Sequence, residues 1–516
     1  MNSQILVVDF GSQVTKLIAR RVRENGVYCE IEPFQKVNEK FLKSRNFKGF
    51  ILSGSPSSVD DRNFPKLKRK FFKKNVPILG ICYGAQLITK ILGGKVESCK
   101  KREFGLANLK KTKNSELTDS INFEKSNSKV WMSHSDSILK LPSDFESVAS
   151  TDNSTNAIIQ NKKSNIYGIQ FHPEVTHTKK GKLILSNFLF KICSCTKDWD
   201  IKSLKNNLIL DIKNKLKNNN VICALSGGVD STVSASLISK AVGKNLKCFY
   251  VDTGLMRKNE TLQLKELFKK YLDSKFKIIN SSNLFFKNLK GITDPEKKRK
   301  IIGKTFIKIF EKYSQNQKSV KYLAQGTLYP DVIESVAIVG KKSLTIKSHH
   351  NVGGLPKKMN FKLIEPLRNL FKDEVRELGK ELGLPHTIIN RHPFPGPGLA
   401  IRVLGEVTKS RVKTLQEADY IFVEELKKNN LYHKIWQAFC VLLPVKTVGV
   451  MGDSRTYEQI CILRAVTSTD GMTAETFKFD QDFLSKCANK IVNNVDGINR
   501  VCFDLTTKPP GTIEYE

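Results

Sequence analysis

The sequence lacks a hydrophobic run long enough to cross a membrane. A spanning helix needs roughly 20 apolar residues in succession, and the segment 438–445, AFCVLLPV, is typical of the longest apolar runs here. The opening residues, MNSQILVVDFGSQ, reach an aspartate at position 9 and have no basic segment ahead of an apolar one, unlike a secretory signal. The sequence therefore predicts a cytoplasmic protein that does not act at a membrane.

Cysteines are present but lack the spacing of a metal or disulfide framework. None of the 11 cysteines forms the paired pattern of a zinc site, and an odd number without a secretory signal argues against disulfides. The adjacent His349 and His350 have no third ligand at a suitable spacing. We therefore expect no transition metal.

Acidic residues are few relative to basic ones, 50 against 86, which gives a formal net charge of +36. Such an excess can indicate a nucleic-acid-binding protein. The lysines, however, are scattered through short asparagine-containing runs such as KLKNNN and KNNLYHK, and they form no single basic stripe. This distribution favours a general compositional bias, and it predicts no specific nucleic-acid partner.

At 516 residues, the chain is too long for a single hydrophobic core. Apolar strands alternate with amphipathic helices, first before residue 196 and again from the strand VICAL onward, until the proline-rich HPFPGPG interrupts the pattern. We predict a multidomain α/β protein with an open parallel sheet in residues 1–196, a second α/β domain in 197–391 and an α+β domain in 392–516.

The segment 80–84, GICYG, joins an apolar strand to a predicted helix and carries Cys82. Small residues on both sides of a nucleophile permit a sharp turn that exposes it at a helix N-terminus, where the helix dipole favours a thiolate. Another apolar strand leads to His172 and Glu174, a general base for the thiol and a carboxylate to orient the imidazole. A buried structural cysteine and a solvated histidine are the alternatives that this pattern leaves open.

Together with the segment WMSHSD, these motifs resemble the class I glutamine amidotransferases. The resemblance implies that Cys82, His172 and Glu174 form a triad that releases ammonia from glutamine through a thioester. The family's motifs have glycine where this sequence has Ser55 and Ser135. If either position requires a positive φ, serine would alter the backbone there. The residues implied to form the oxyanion hole and to bind glutamine are Gly54, Tyr83, Gln86, Ser133, His134 and Asp136.

The segment 226–232, SGGVDST, follows an apolar strand, and a helix is predicted to begin at Thr232. Glycines let the backbone approach an anion, and a helix N-terminus completes an anion site. The lysine of a Walker A loop is absent, and an ordinary Gly-Gly turn is the alternative.

The full motif resembles the PP-loop of ATP pyrophosphatases, which implies cleavage of ATP to AMP and PPi with Mg²⁺ held in part by Asp230. The basic segment 291–303 resembles the lid of such a site, with a solvated helix start as the alternative. The residues implied to bind ATP are Ser226, Gly227, Gly228, Val229, Asp230, Ser231, Thr232, Val251, Gly326 and Thr327.

Three later segments resemble the ligases that join these two activities to aminate XMP, and the resemblance covers essentially the whole chain. The segments are HPFPGPGL, GVMGDSRTY and KPPGTIE. The resemblance implies that ATP adenylylates XMP, that ammonia displaces AMP to give GMP, and that the last domain forms a homodimer. The residues implied to bind XMP are Arg391, Lys508, Ile513 and Glu514.

Three other functions fit these motifs less well. A tRNA-modifying PP-loop enzyme would be expected to carry a CxxC motif and an RNA-binding domain in place of an amidotransferase. Another amidotransferase-coupled ligase, such as an NAD synthetase, would lack the motifs of the last domain. A non-enzymatic basic scaffold would leave three chemical motifs unexplained.

Overall fold

The computed structural model describes residues 4–123, 128–271, 275–315, 320–329, 331, 361–451, 453–468 and 473–516. The described residues divide into two compact units, one ending at Asp200 and the other beginning at Ile201. Among the helices of these ranges, none is long and apolar enough to cross a membrane.

The first unit alternates strands and helices along its first half and continues mainly as strands. Its described strands are β1 (Ile5–Asp9), β2 (Cys29–Pro33), β3 (Gly49–Leu52), β4 (Ile78–Ile81), β5 (Lys95–Asn108), β6 (Lys110–Lys111), β7 (Lys129–Lys140), β8 (Glu146–Ser150), β9 (Ile158–Asn161) and β10 (Ile166–Ile169). Its described α-helices are α1 (Thr15–Glu24), α2 (Glu39–Lys43), α3 (Tyr83–Leu92) and α4 (Gly181–Asn187).

The main sheet of this unit has the strand order β2-β1-β3-β4-β10-β9-β8-β6. Its first five strands are parallel, and the other three continue the sheet in antiparallel pairings. Strands β1, β3, β4 and β10 are apolar and almost wholly buried, as expected for a parallel sheet with both faces covered. β4 and β10 are neighbours, with Ile81 opposite Ile169, so the residues that follow their carboxyl ends meet at one edge.

The second unit contains a parallel sheet followed by a mainly antiparallel one. Its described strands are β11 (Asn220–Leu225), β12 (Leu246–Asp252), β13 (Lys275–Asn280), β14 (Val320–Ala324), β15 (Lys362–Ile364), β16 (Gln437–Met451), β17 (Ser454–Thr467), β18 (Glu475–Thr476) and β19 (Ile498–Phe503). Its described α-helices are α5 (Ile201–Leu216), α6 (Val229–Val242), α7 (Glu260–Tyr271), α8 (Ser282–Leu289), α9 (Pro295–Gln315), α10 (Lys372–Glu381), α11 (His386–Ile389), α12 (Lys409–Lys428) and α13 (Gln481–Asn494).

The parallel sheet has the order β13-β12-β11-β14-β15, with β11 at its centre. The chain leaves β11 toward β12 on one side and returns to β14 on the other, so the strand order reverses next to β11. Ligands of open α/β sheets bind at such a reversal, outside the carboxyl ends of the strands. The loop that follows β11 is the segment 226–228.

In the later part of the unit, β16 and β17 form a long antiparallel hairpin, and β18 and β19 both pair with β17. Phe249 of β12, Phe422 of α12 and Cys461 of β17 belong to one buried hydrophobic cluster. The two sheets of this unit therefore share a core.

The predicted fold class, a multidomain α/β protein with open parallel sheets and an α+β C-terminal part, is confirmed. The division into domains 1–196, 197–391 and 392–516 stays a prediction. The helix predicted to begin at Thr232 begins at Val229 instead, so the predicted start was wrong by three residues. Asp230 consequently lies in the first turn of α6, where a carboxylate interacts favourably with the helix dipole.

Candidate active sites

Cys82 lies at a sharp turn between β4 and α3, with φ 54° and ψ −107°. A residue with a side chain adopts such a backbone only at a cost of about 1–3 kcal/mol, and residues of this kind cluster at functional sites. The turn depends on its flanking glycines. A Cβ at Gly84 would overlap the carbonyl oxygen of Leu52, and one at Gly80 would lie 2.5 Å from the carbonyl carbon of Gly84.

His172 follows β10 and lies next to the turn that carries Cys82. The Nδ1–H of His172 donates to Oε1 of Glu174 at 2.7 Å, and the Glu174 side chain is fully buried. The backbone of His172 is fixed as well, because its N–H donates to the carbonyl of Trp131 and its carbonyl accepts from Thr178. The structure therefore brings the three predicted triad residues together.

The electrostatics of this site favour a protonated imidazole. Burial alone would lower the pKa of His172, but the carboxylate of Glu174 and the thiol of Cys82 together raise that pKa well above its ordinary value. An imidazolium next to a cysteine stabilises the thiolate, which is the nucleophilic form.

Changing Glu174 to glutamine should lower the pKa of His172, because the desolvation that lowers it remains while the opposing carboxylate is gone. Glutamine hydrolysis should fall by about a hundredfold or more, as expected when the orienting member of a triad is lost. An NMR titration of the His172 imidazole, combined with a glutaminase assay, measures both effects. An unchanged imidazole pKa together with an unchanged rate would show that Glu174 has no role at His172.

The residues predicted to surround the substrate glutamine lie near the same edge. The Sγ of Cys82 is 3.8 Å from the carbonyl oxygen of Ser133, and a Cβ at Gly54 would lie 3.6 Å from Cε1 of His172. The Nε2 of the buried Gln86 donates to the carbonyl of Asp136 at 2.9 Å.

His134 and Tyr83 complete the predicted set. The Nδ1–H of His134 donates to the same carbonyl of Asp136 at 2.9 Å, and its Nε2 is 3.5 Å from Glu103. The Tyr83 hydroxyl donates to the carbonyl of Pro65 at 2.5 Å, so the ring is turned away from the thiol and only the backbone of Tyr83 is available to an oxyanion.

The two serines that replace the family's glycines are accommodated. Neither Ser55 nor Ser135 has a positive φ in the structure. Ser55 instead donates from Oγ to the carbonyl of Phe10 at 2.9 Å. The backbone conformations at these two positions therefore do not require glycine.

Two neighbours of this site were missed by the sequence analysis. Gln170 places Nε2 3.8 Å from the Cys82 thiol, and Ser58 donates to the carboxylate of Asp136 at 2.5 Å. Gln170 lies two residues before His172, just past the end of the same strand, so the sequence could have indicated that Gln170 lies near the thiol. Nothing in the sequence near Ser58 indicates its partner, 78 residues away.

The loop after β11 has the geometry of an anion site. Gly227 has φ +76°, Gly228 is extended and caps α6, and Ser231 and Thr232 both direct their hydroxyls to the Gly228 carbonyl at 3.2 and 2.8 Å. These conformations leave the first N–H groups of α6 at the reversal in the sheet, where a phosphate can bind.

The remaining residues predicted to bind ATP lie on neighbouring strands and the loop after β14. A Cβ at Gly326 would lie 3.1 Å from the backbone nitrogen of Ser231, so this glycine permits close packing against the start of α6. Val251, near the end of β12, and Thr327 are both buried.

A lysine that the sequence analysis missed neutralises Asp230. The Nζ of Lys372, at the start of α10, lies 2.7 Å from both carboxylate oxygens of Asp230. In the ranges that the structure describes, no group of three histidine, cysteine, aspartate or glutamate side chains could hold a metal ion. A single carboxylate on a phosphate loop nevertheless fits Mg²⁺, which commonly binds one or two protein carboxylates together with substrate phosphates. His349 and His350 lie outside the described residues.

The residues predicted to bind XMP fall into two places. Arg391 lies at the phosphate loop, where its guanidinium donates to the Gly227 carbonyl at 2.7 Å and pairs with Glu260. The tail segment, defined here as residues 508–516, contains Lys508, Ile513 and Glu514.

The tail segment is held by buried partners. Glu514 accepts two hydrogen bonds from Arg402, at 3.0 and 2.8 Å, and one from Gln437 at 2.6 Å. The backbone of Lys508 pairs with Ala474 in both directions, and Ile513 is buried in a cluster with Phe439.

The fold of the first unit and the residues around Cys82 define a class I glutamine amidotransferase. Residues 6–192 match the family described as Glutamine amidotransferase class-I. Residues 424–515 match a second family, described as GMP synthase C terminal domain.

Full-length relatives make the assignment more specific. The chain is 53% identical over 513 residues to GMP synthase (glutamine-hydrolyzing) of Brachyspira hyodysenteriae, covering 99% of each. It is 52% identical over 517 residues to the enzyme of the same name from Zymomonas mobilis, covering 100% of this chain and 98% of the relative. The chain belongs to the GMP synthase (glutamine-hydrolyzing) family, as the sequence resemblance predicted.

Proposed function

We propose that this enzyme aminates XMP to GMP, with ATP cleaved to AMP and PPi and with ammonia taken from glutamine. The observation that carries the proposal is the geometry at Cys82, where a strained cysteine, a raised histidine pKa and a buried carboxylate meet at one sheet edge. The phosphate loop of the second unit supports the ATP-dependent half of the reaction.

In the first half-reaction, the Cys82 thiolate attacks the amide carbon of glutamine. The carbonyl oxygen becomes an oxyanion, for which the backbone N–H groups at Tyr83 and Gly54 are the proposed donors. His172 then gives its proton to the departing nitrogen, so that the C–N bond breaks and ammonia leaves a thioester. The now neutral His172 takes a proton from water, the resulting hydroxide attacks the thioester, and glutamate leaves as the thiolate and the imidazolium are restored.

In the second half-reaction, the loop 226–232 binds the phosphates of ATP through the N–H groups at the start of α6. The C2 oxygen of XMP attacks the α-phosphorus, the bond to the β-phosphate oxygen breaks, and PPi leaves. Ammonia then displaces AMP from C2 to give GMP. Mg²⁺ bound with ATP would neutralise phosphate charge, and Asp230 is the carboxylate that would hold it. Lys372, which contacts Asp230, would place a second cation there.

The tail segment is proposed to bind XMP. Lys508 would supply a cation for the 5′-phosphate, and Glu514 would accept hydrogen bonds from the nucleotide. The support is that Arg402 and Gln437 fix the Glu514 carboxylate in one orientation before any ligand binds.

Changing Lys508 to alanine should raise the XMP concentration needed for half-maximal rate far more than the ATP concentration. The lost contact is a hydrogen bond to a charged phosphate, about 1.5–3 kcal/mol, so an increase of about tenfold or more is expected. Steady-state kinetics with each substrate varied in turn measure the effect. Lys478→Ala, which removes an exposed lysine elsewhere in the unit, is the matched control. An unchanged XMP requirement in the Lys508 variant would refute the role.

We also propose a cytoplasmic homodimer formed through the C-terminal part of the chain. The hairpin of β16 and β17 exposes apolar side chains toward its tip, including Val448, Val450 and Tyr457, and Val450 is 72% exposed. Apolar residues clustered on one exposed hairpin are typical of an interaction surface. Val450→Lys should therefore shift the protein from dimer to monomer in analytical ultracentrifugation. A monomeric wild-type protein would contradict the proposal.

The purified enzyme tests the proposed function with XMP, ATP, Mg²⁺ and glutamine supplied together. We expect GMP, PPi and glutamate to form, with GMP and PPi in equal amounts and neither formed when XMP is omitted. Formation of glutamate without GMP would agree with the amidotransferase activity but would contradict XMP as the acceptor of ammonia.

A further inference from the structure

Of the completely buried cations of the second unit, Arg402 and Lys298 are neutralised by carboxylates of the tail segment, while Arg464 pairs with Asp504. The side chains of Arg402 and Lys298 are each 0% exposed. Arg402 pairs with Glu514, and Lys298 pairs with Glu516. A buried charge is costly unless it is paired, so each of these cations depends on the tail segment being in place.

Lys298 uses its whole ammonium group in this arrangement. Besides the Glu516 carboxylate, its Nζ donates to the carbonyl oxygens of Val403 at 2.9 Å and Ala400 at 3.4 Å. Burial lowers the pKa of Lys298, and the hydrogen bond that its ammonium donates to the Glu516 carboxylate opposes that effect. The two carbonyls satisfy hydrogen bonds but carry no charge, so Glu516 provides the counter-charge that touches the ammonium.

Glu516 thereby joins three parts of the chain. Lys298 and Arg299 lie in the first turns of α9, and Arg299 donates to the backbone oxygen of Glu516. The other carboxylate oxygen of Glu516 is 3.4 Å from the backbone nitrogen of Gly405. Glu516 is thus connected to a helix start and to the segment 400–405, and it lies two residues from Glu514.

We infer that Glu516 is a positioning residue for XMP. Its ion pair with Lys298 fixes the end of the tail segment, so that Ile513 and Glu514 are held where the nucleotide binds. Glu516 acts through Glu514 and is not assigned a contact with XMP. The inference rests on the proposed function, since it assumes that the tail segment binds XMP.

The test compares Glu516→Gln with the wild-type enzyme. Glutamine keeps the size of the side chain but removes the charge that neutralises Lys298, so the tail segment should be less firmly docked. We expect the XMP concentration for half-maximal rate to rise about tenfold, because a buried cation without its counter-charge is strongly unfavourable. The ATP requirement and the rate of glutamine hydrolysis should change by less than about twofold, because Glu516 bonds to none of the residues named above as binding ATP or glutamine.

A second variant distinguishes positioning from general destabilisation. In Lys298→Met with Glu516→Gln, no buried ammonium remains, so the XMP requirement should fall back part of the way toward the wild-type value. Glu381→Gln is the matched control, because Glu381 pairs with Lys205 at an exposed surface and should leave every constant unchanged. If Glu516→Gln does not fold, Glu516→Asp, which keeps the charge on a shorter side chain, should raise the XMP requirement by a smaller factor.

An unchanged XMP requirement in a folded Glu516→Gln enzyme would overturn the inference. The inference would also be overturned if the XMP and ATP concentrations needed for half-maximal rate rose equally and the double variant restored neither. That result would indicate a general structural defect. Wild-type enzyme that forms no GMP from XMP would instead contradict the proposed function.

Discussion

Replacing Cys82 with alanine is expected to eliminate glutamine hydrolysis and to leave ammonia-dependent GMP formation intact. No thioester can form without the thiol, and the neighbouring Gln170 and Ser133 offer no equivalent nucleophile at that position. The ATP-dependent site is built from residues of the other unit. Supplied ammonium salt should therefore support GMP formation in the variant, and the rate should increase at alkaline pH as more unprotonated ammonia is present.

Cys29→Ala is a matched control for this experiment. Cys29 is buried at the start of β2 in the same unit, and its thiol donates to the backbone carbonyl of Ala19. Its replacement should preserve both activities apart from a modest loss of stability. If Cys82 were merely a buried structural residue, its replacement would resemble this control, and glutamine-dependent synthesis would be retained.

Asp230→Ala is expected to abolish GMP formation from glutamine and from ammonium salt alike. The change removes the carboxylate of the phosphate loop. Lys372, whose ammonium now contacts both oxygens of that carboxylate, loses this partner. Loss of a charged group that stabilises developing charge costs about 3 kcal/mol or more, a factor of at least a hundred in rate. Glutamine hydrolysis belongs to the first unit and should not require Asp230.

Asp211→Ala provides the comparison, because Asp211 is an exposed carboxylate on α5, the helix before the loop. It should retain the wild-type rate of GMP formation. Assays of PPi release with each nitrogen source separate the two variants. A wild-type rate in Asp230→Ala would show that the loop is structural.

The sequence was sufficient to predict the features that depend on local chain geometry. The turn at Cys82 and the loop at Gly227 each join an apolar strand to a helix through small residues. Cys82 and Gly227 both have positive φ, a conformation that accounts for the small residues at these turns. The meeting of Cys82 with His172 also follows from topology, because β4 and β10 are adjacent parallel strands in register. The roles of these residues in catalysis stay predictions.

Contacts between distant parts of the chain could not be predicted. Lys372 is 142 residues from Asp230, and Glu516 is 218 residues from Lys298. Each of these lysines is one of many in a strongly basic sequence, so nothing local distinguishes it. Arg391 shows the same limit, since its motif borders the last domain while its guanidinium lies on the phosphate loop.

Isotope labelling can follow the nitrogen atom from glutamine to the purine and so tests directly whether this enzyme couples the two half-reactions. Enzyme is supplied with XMP, ATP, Mg²⁺ and glutamine that carries heavy nitrogen in its amide, and the GMP is analysed by mass spectrometry. We expect GMP labelled at its exocyclic amino group in the wild-type enzyme, and no GMP in Cys82→Ala unless ammonium salt is added. Labelled GMP from Cys82→Ala, or no GMP from active wild-type enzyme, would contradict this expectation.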